Sequence, residues 1–205
     1  MNYLVYLGLK RYGYHAEAAE LARKNLAIAQ STSASLENGG GYGDQFSIVD
    51  GKPVVAKSGA EGDGQRTYFF GLAIWPAVEE VFSADPWTGL SFGSVAATEE
   101  SRLERIDVSG AKFNVTAGPE RTVIRRNGVV EVECETPVRL RAYQSNDSAI
   151  SFVIEVKDRA PVLIPPAKGR KITVSVDDKV LGSVPAGAAA TFKIPAGTHK
   201  ALIIK

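Results

Sequence analysis

The chain has 205 residues, of which 24 are Lys or Arg and 23 are Asp or Glu, giving a formal net charge of +1. This even balance gives no reason to expect nucleic acid or an anionic membrane as a partner. No apolar run approaches the roughly 20 residues that a membrane span requires, and no secretory signal pattern opens the sequence. A change of pattern near Asp85 favours two domains over one.

Three helices are predicted in the first part of the chain. The first dozen residues are mostly apolar and end at Gly13, and residues 15–30 carry apolar side chains at three- and four-residue spacing. Residues 37–64 form a loop rich in Gly, Asp and Ser, and loops of this length are often functional. A strongly apolar third helix begins at Gln65, and we expect a kink or a new first turn at Pro76.

Beyond Glu104 the apolar residues alternate with polar ones. A period of two predicts strands with one buried face, and one such run places Val138, Leu140 and Ala142 on that face. Short strands at this spacing, separated by turn residues, are typical of a β-sandwich.

Turn residues mark the ends of these strands. Asn127-Gly128 is the strongest hairpin signal, because both residues tolerate the positive φ values of a type I′ turn. We therefore predict an α+β fold with two domains: helices and a long Gly-rich loop in residues 1–94, and an antiparallel β-sandwich in residues 95–205.

Cys134 and His199 are predicted to be structural. A single cysteine cannot form an internal disulfide, so the bacterial cytoplasm and the periplasm are both compatible with this chain. Cys134 lies in an alternating run, which predicts a small buried strand residue rather than a reactive thiol. His199 has no Cys or second His beside it, so we expect no metal site there, and no cofactor.

The region between the second helix and the strands carries a family resemblance. Glu37-Asn38 followed by glycines, the aromatic pair and glycine Phe69-Phe70-Gly71, and the passage at residues 85–94 resemble the C-terminal end of the catalytic barrel in the family-63 glucosidases and their trehalase-like relatives. The resemblance is clearest over residues 2–93. Gly39 stands where that family usually has Tyr, and Phe70 where it usually has Trp.

This resemblance implies that the helices are the last helices of an (α/α)6 barrel. It also implies that the chain is the C-terminal portion of an inverting α-glycoside hydrolase that acts on oligosaccharides. Glu37 would then be the catalytic general base. The residues expected to contact the substrate are Asn2, Tyr3, Asn38, Tyr42, Tyr68 and Phe69.

A glycosidase also needs a second carboxyl group, which acts as the acid. No acidic residue precedes Glu17, and Glu17 and Glu20 lie mid-helix with the pattern of a solvent-facing surface. We therefore expect the acid to lie in the remainder of a parent enzyme, and the chain to be inactive alone. Two alternatives stay open: a non-catalytic β-sandwich that binds carbohydrate or serves a structural role, and a rhamnosidase-like relative with the same layout.

Overall fold

The computed structural model describes residues 2–36, 66–167 and 169–205, with side chains for residues 3–30, 74–167 and 169–205. The chain divides into two compact units, Met1–Glu79 and Glu80–Lys205. The division therefore lies before the first strand, whereas the sequence analysis places the change of domain between residues 94 and 95.

The described part of the first unit is helical. Its helices are α1 (Asn2–Arg11), α2 (His15–Leu36) and α3 (Arg66–Val81), and the last two residues of α3 belong to the second unit. α2 continues past Gln30, where the sequence predicts its end, because each added residue gains one helical hydrogen bond. Among the described residues, no helix has both the length and the apolar character needed to cross a bilayer.

α1 and α2 form a helical hairpin that turns at Gly13, whose φ is 82°. The amide of Tyr14 donates to the carbonyl of Leu9 across this turn at 2.9 Å. Small residues let the helices approach closely, since Ala18 and Ala22 pack against Tyr6 and all three are almost fully buried.

The second unit is built from β-strands. In the described part of the chain these are β1 (Phe82–Asp85), β2 (Gly89–Phe92), β3 (Ser101–Val108), β4 (Ala111–Ala117), β5 (Thr122–Arg126), β6 (Val129–Cys134), β7 (Val138–Ser145), β8 (Ala149–Val156), β9 (Ala160–Ile164), β10 (Ile172–Val176), β11 (Lys179–Val184), β12 (Ala190–Ile194) and β13 (Gly197–Ile204).

These strands form two antiparallel sheets. One has the order β1-β2-β7-β8-β13-β10-β11, and the other has the order β12-β9-β6-β5-β4-β3. Side chains from both sheets share one apolar core, which includes Phe92 and Phe152 from the first sheet and Ile124 and Ile164 from the second. This is the β-sandwich that the alternating pattern predicts. Cys134 is fully buried in it, as predicted.

The first hairpin of the sandwich lies in a region that the sequence analysis assigned to the helical domain. β1 pairs with β2, and the Asp85 carboxylate caps the turn between them by accepting the amides of Trp87 and Thr88 at 2.7 and 2.9 Å. Asp and Asn favour such turns because their short side chains bond the backbone two or three residues on. Asp85-Pro86-Trp87 therefore belongs to the connection between two strands of the sandwich, and α3 has already ended at Val81.

A β-bulge in β7 changes which of its residues face the core. Arg141 pairs with Val153 but Gln144 pairs with Ser151, so β7 carries one extra residue at this point. The expected burial of Ala142 is wrong: Ala142 is exposed with a φ of 49°, and Tyr143 enters the core in its place. A bulge shifts the alternation by one residue, which a strict period of two does not anticipate.

Among the described glycines, Gly93, directly after β2, has the closest neighbouring atoms. Its φ is 76°, and a Cβ atom there would lie 2.4 Å from the carbonyl oxygen of Val138 and 3.0 Å from the Thr122 methyl group. Val138 and Thr122 belong to different sheets, so no side chain fits at Gly93 without moving the backbone at the seam between the sheets.

Gly93→Ala is therefore expected to destabilise the protein by about 1 kcal/mol from the left-handed backbone and a further ~1–3 kcal/mol from overpacking. Gly110→Ala is the matched control, because Gly110 has a φ of 80° but nothing within 4 Å of the added carbon. Urea unfolding followed by circular dichroism measures both. Equal losses for the two variants would show that the contact with Val138 costs nothing.

Candidate functional site

The residues predicted for a hydrolase site are only partly described. Three of them lie outside the described residues: Glu37, Asn38 and Tyr42. Three more are described only by their backbone: Asn2, in the first turn of α1, and Tyr68 and Phe69, in the first turn of α3. The roles assigned to these six residues stay predictions.

Tyr3 is the one predicted site residue whose side chain is described. Its hydroxyl donates to the Glu79 carboxylate near the end of α3, and its ring stacks on Tyr6 at a centroid distance of 6.3 Å. Partial burial, reinforced by the Glu79 carboxylate, raises the pKa of Tyr3 to about 12. Glu79 lies eleven positions after Tyr68 along α3, a rise of about 16 Å, so this bond holds Tyr3 at the opposite end of α3 from Tyr68.

A second candidate site, not foreseen from the sequence, is centred on Glu131 in the sandwich. Ile124 pairs with Val132 but Arg125 pairs with Val130, so Glu131 is the extra residue of a bulge in β6. The bulge turns its side chain inward, where only 8% of the residue is exposed. A buried carboxylate is costly unless it is hydrogen-bonded, which makes its partners informative.

Two hydroxyl groups from the other sheet satisfy this carboxylate. Tyr143 donates to Oε2 at 2.8 Å and Ser145 donates to Oε1 at 2.6 Å. Burial, and then the charge of Glu131, raise the pKa of Tyr143 far above its ordinary value, so its hydroxyl keeps its proton. The bulges in β6 and β7 thus place a hydrogen-bonded pair across the core.

Two cations also face Oε1 of Glu131, but at longer range. Lys205 Nζ lies 3.6 Å away and Arg126 Nη1 lies 3.9 Å away. Both distances exceed the usual hydrogen-bond length, so each cation balances the charge of Glu131 while its N–H groups stay available. Within the described residues, neither side chain donates a hydrogen bond.

A pocket of about 480 Å³ opens beside this cluster at one end of the sandwich. Three connections converge there: the β5–β6 turn at Asn127, the β7–β8 turn at Asn146 and Asp147, and the start of the β9–β10 connection at Pro165 and Pro166. Its volume falls within the range of small-molecule sites in proteins.

The alternating pattern of the sequence does not predict this site. In the run Val129–Cys134, Glu131 stands between two valines, and a strict alternation places it on the solvent face. Counting residues from the Asn127-Gly128 turn cannot reveal the extra residue in β6. A hairpin with the bulge and a hairpin without it are both compatible with this turn. Only the partner strand determines which way the Glu131 side chain points.

His199 has a structural partner in Asp177. Its Nδ1 lies 2.7 Å from the Asp177 carboxylate, whose second oxygen accepts the amide of Lys200 at 2.9 Å. The bond to Asp177 raises the pKa of His199 above its ordinary value. Among the described side chains, no group of three or more His, Cys, Asp or Glu comes together as a metal site would require.

Comparison of the chain with protein-family models, with curated proteins and with solved structures finds no match. The candidate sites are therefore judged on their own chemistry.

Tyr143→Phe is expected to reduce the free energy of unfolding of the sandwich by about 1–3 kcal/mol, because Oε2 of a buried carboxylate loses its donor. Tyr12→Phe is the control, since Tyr12 is 77% exposed. Urea unfolding of both variants gives the difference. A Tyr143→Phe variant as stable as the parent protein would mean that Glu131 does not depend on the bond across the core.

Proposed function

We propose that this chain is the C-terminal portion of an inverting α-glycoside hydrolase of the glucosidase or trehalase-like kind, inactive alone. The observation that supports this most is the exposed apolar surface of α1. Leu4 is 71% exposed and Val5 51% exposed, on faces of the helix that point away from Tyr6. A helix that is apolar on both sides is typical of the interior of a larger helical array.

The small core of the helical unit supports the same proposal. Its buried apolar cluster consists of Tyr6, Ala18 and Ala22, within the described residues. Two helices that bury so little apolar surface stabilise each other only weakly. Further helices packed on α1 would bury the apolar side chains that it leaves exposed. In an (α/α)6 barrel those helices would come from the remainder of the parent enzyme.

In this proposal Glu37 is the general base. It would draw a proton from a water molecule that attacks the anomeric carbon, while an acid from the rest of the enzyme protonates the leaving oxygen. An inverting enzyme holds the two carboxyl groups about 6.5–9.5 Å apart, which leaves room for that water. Tyr3 would position α1 against α3 through Glu79, and Asn2 lies beside it at the start of α1.

A second candidate function is that of a non-catalytic module that binds carbohydrate. The pocket beside Glu131 favours it, because side chains that donate and side chains that accept hydrogen bonds line one cavity of about 480 Å³. The sandwich also has an extensive core of its own, so this function does not require the helical unit.

The exposed face of α1 can be tested in the chain itself. We expect concentration-dependent association in sedimentation velocity. We expect Leu4→Lys to shift the chain to monomer, because it replaces an exposed apolar side chain with a charged one. Val180→Lys is the matched control, since Val180 is 66% exposed on β11 of the sandwich. A monomer at all concentrations, or association abolished by Val180→Lys alone, would count against the proposal.

The catalytic role of Glu37 requires the full-length parent enzyme. Glu37→Gln keeps the shape of the side chain but cannot accept the proton, so we expect the hydrolysis rate to fall by a factor of about 10²–10⁴. Glu17→Gln removes the same charge from the exposed surface of α2 and should leave the rate unchanged. Retained turnover in Glu37→Gln would remove this residue from the mechanism.

A further inference from the structure

We infer that the pocket beside Glu131 binds an acidic sugar, a hexuronate or a chain end that carries one. The inference deepens the second candidate function, because it names the kind of carbohydrate that the sandwich would take.

Charge is the first reason. The pocket is lined by three cationic side chains, Arg126, Arg170 and Lys205, and by two anionic side chains, Glu131 and Asp147. Glu131 is already bonded by two hydroxyl groups, and Arg126 and Lys205 lie beyond hydrogen-bond length from it. The cations therefore keep N–H groups for a ligand carboxylate, which Arg binds with two parallel hydrogen bonds.

The rim of the pocket offers further donors. Oδ1 of Asn127 accepts the amide of Lys112 at 2.9 Å, and Oδ1 of Asn146 accepts the amide of Ser148 at 2.9 Å. These bonds use the carbonyl end of each side chain and leave the NH₂ end to donate. Donors thus outnumber acceptors, which suits a ligand rich in oxygen atoms.

The wall of the pocket is apolar where the strands end. Val130, Ile164 and Pro165 line it, and together they present a surface without charge. A pyranose ring has apolar C–H groups on its faces and hydroxyl groups around its edge. A volume of about 480 Å³ accommodates one or two such rings with bound water. A ligand with a ring, hydroxyl groups and one carboxylate therefore matches the wall, the rim and the cations together.

The test is calorimetric titration of the full chain with sodium glucuronate at low salt, with glucose and inorganic phosphate as separate titrants. We expect saturable binding of glucuronate with one site, at least about tenfold weaker binding of glucose, and weaker binding of glucuronate as salt is added. Arg170→Ala should weaken glucuronate binding about tenfold or more, since Arg170 is exposed at the rim and its loss leaves the core intact.

Arg159→Ala is the matched control, because Arg159 is an exposed arginine at the other end of β9 from the pocket. Its affinity for glucuronate should equal that of the parent chain. The inference would be overturned if glucuronate showed no saturable binding, or if glucose or phosphate bound with the same affinity as glucuronate. It would also be overturned if Arg170→Ala and Arg159→Ala lost the same affinity for glucuronate. None of these results bears on the association of α1, so the two proposals fail separately.

Discussion

The hydrogen bond between Tyr143 and Glu131 links the two sheets of the sandwich through its core. Its donor lies on β7 of the seven-stranded sheet and its acceptor lies on β6 of the six-stranded sheet, and each side chain reaches the core through a bulge. A buried carboxylate without hydrogen-bond donors destabilises the fold, so Tyr143, Ser145 and both bulges have to be in place together. This constraint fixes the register of β6 and β7 more firmly than apolar packing alone, because packing tolerates exchange among residues of similar size.

The same constraint shapes the pocket. Because the two hydroxyl groups come from the core side, Glu131 is satisfied without its cations, and Arg126 and Lys205 need only balance its charge. They lie at 3.9 and 3.6 Å from Oε1, beyond hydrogen-bond length, with 25% and 17% of their side chains exposed. The arrangement links a feature that stabilises the fold to a cavity lined by cations, where we propose that a ligand carboxylate binds.

The helical unit is held together differently. Ala18 and Ala22 allow α1 and α2 to approach, and the Tyr3 hydroxyl reaches Glu79 on α3, but Leu4 and Val5 remain on the surface. The sandwich has an extensive buried core that includes Phe92, Phe152 and Ile154, whereas the buried cluster among the described helical residues consists of Tyr6, Ala18 and Ala22. The proposed position of these helices in a larger barrel would explain this contrast.

The amino-acid sequence alone determines the secondary structure of most of the chain, since periods of 3.6 and 2 follow directly from backbone geometry. It also gives the sandwich class and the buried position of Cys134. It does not give the β1–β2 hairpin, whose four-residue strands are too short for a period, or the positions of Ala142 and Glu131. Those depend on bulges, and a bulge is decided by how two strands pair with each other, which the alternation along one strand does not encode. The pocket was therefore settled only by tertiary structure, because its charges come from segments that meet only when both sheets are assembled.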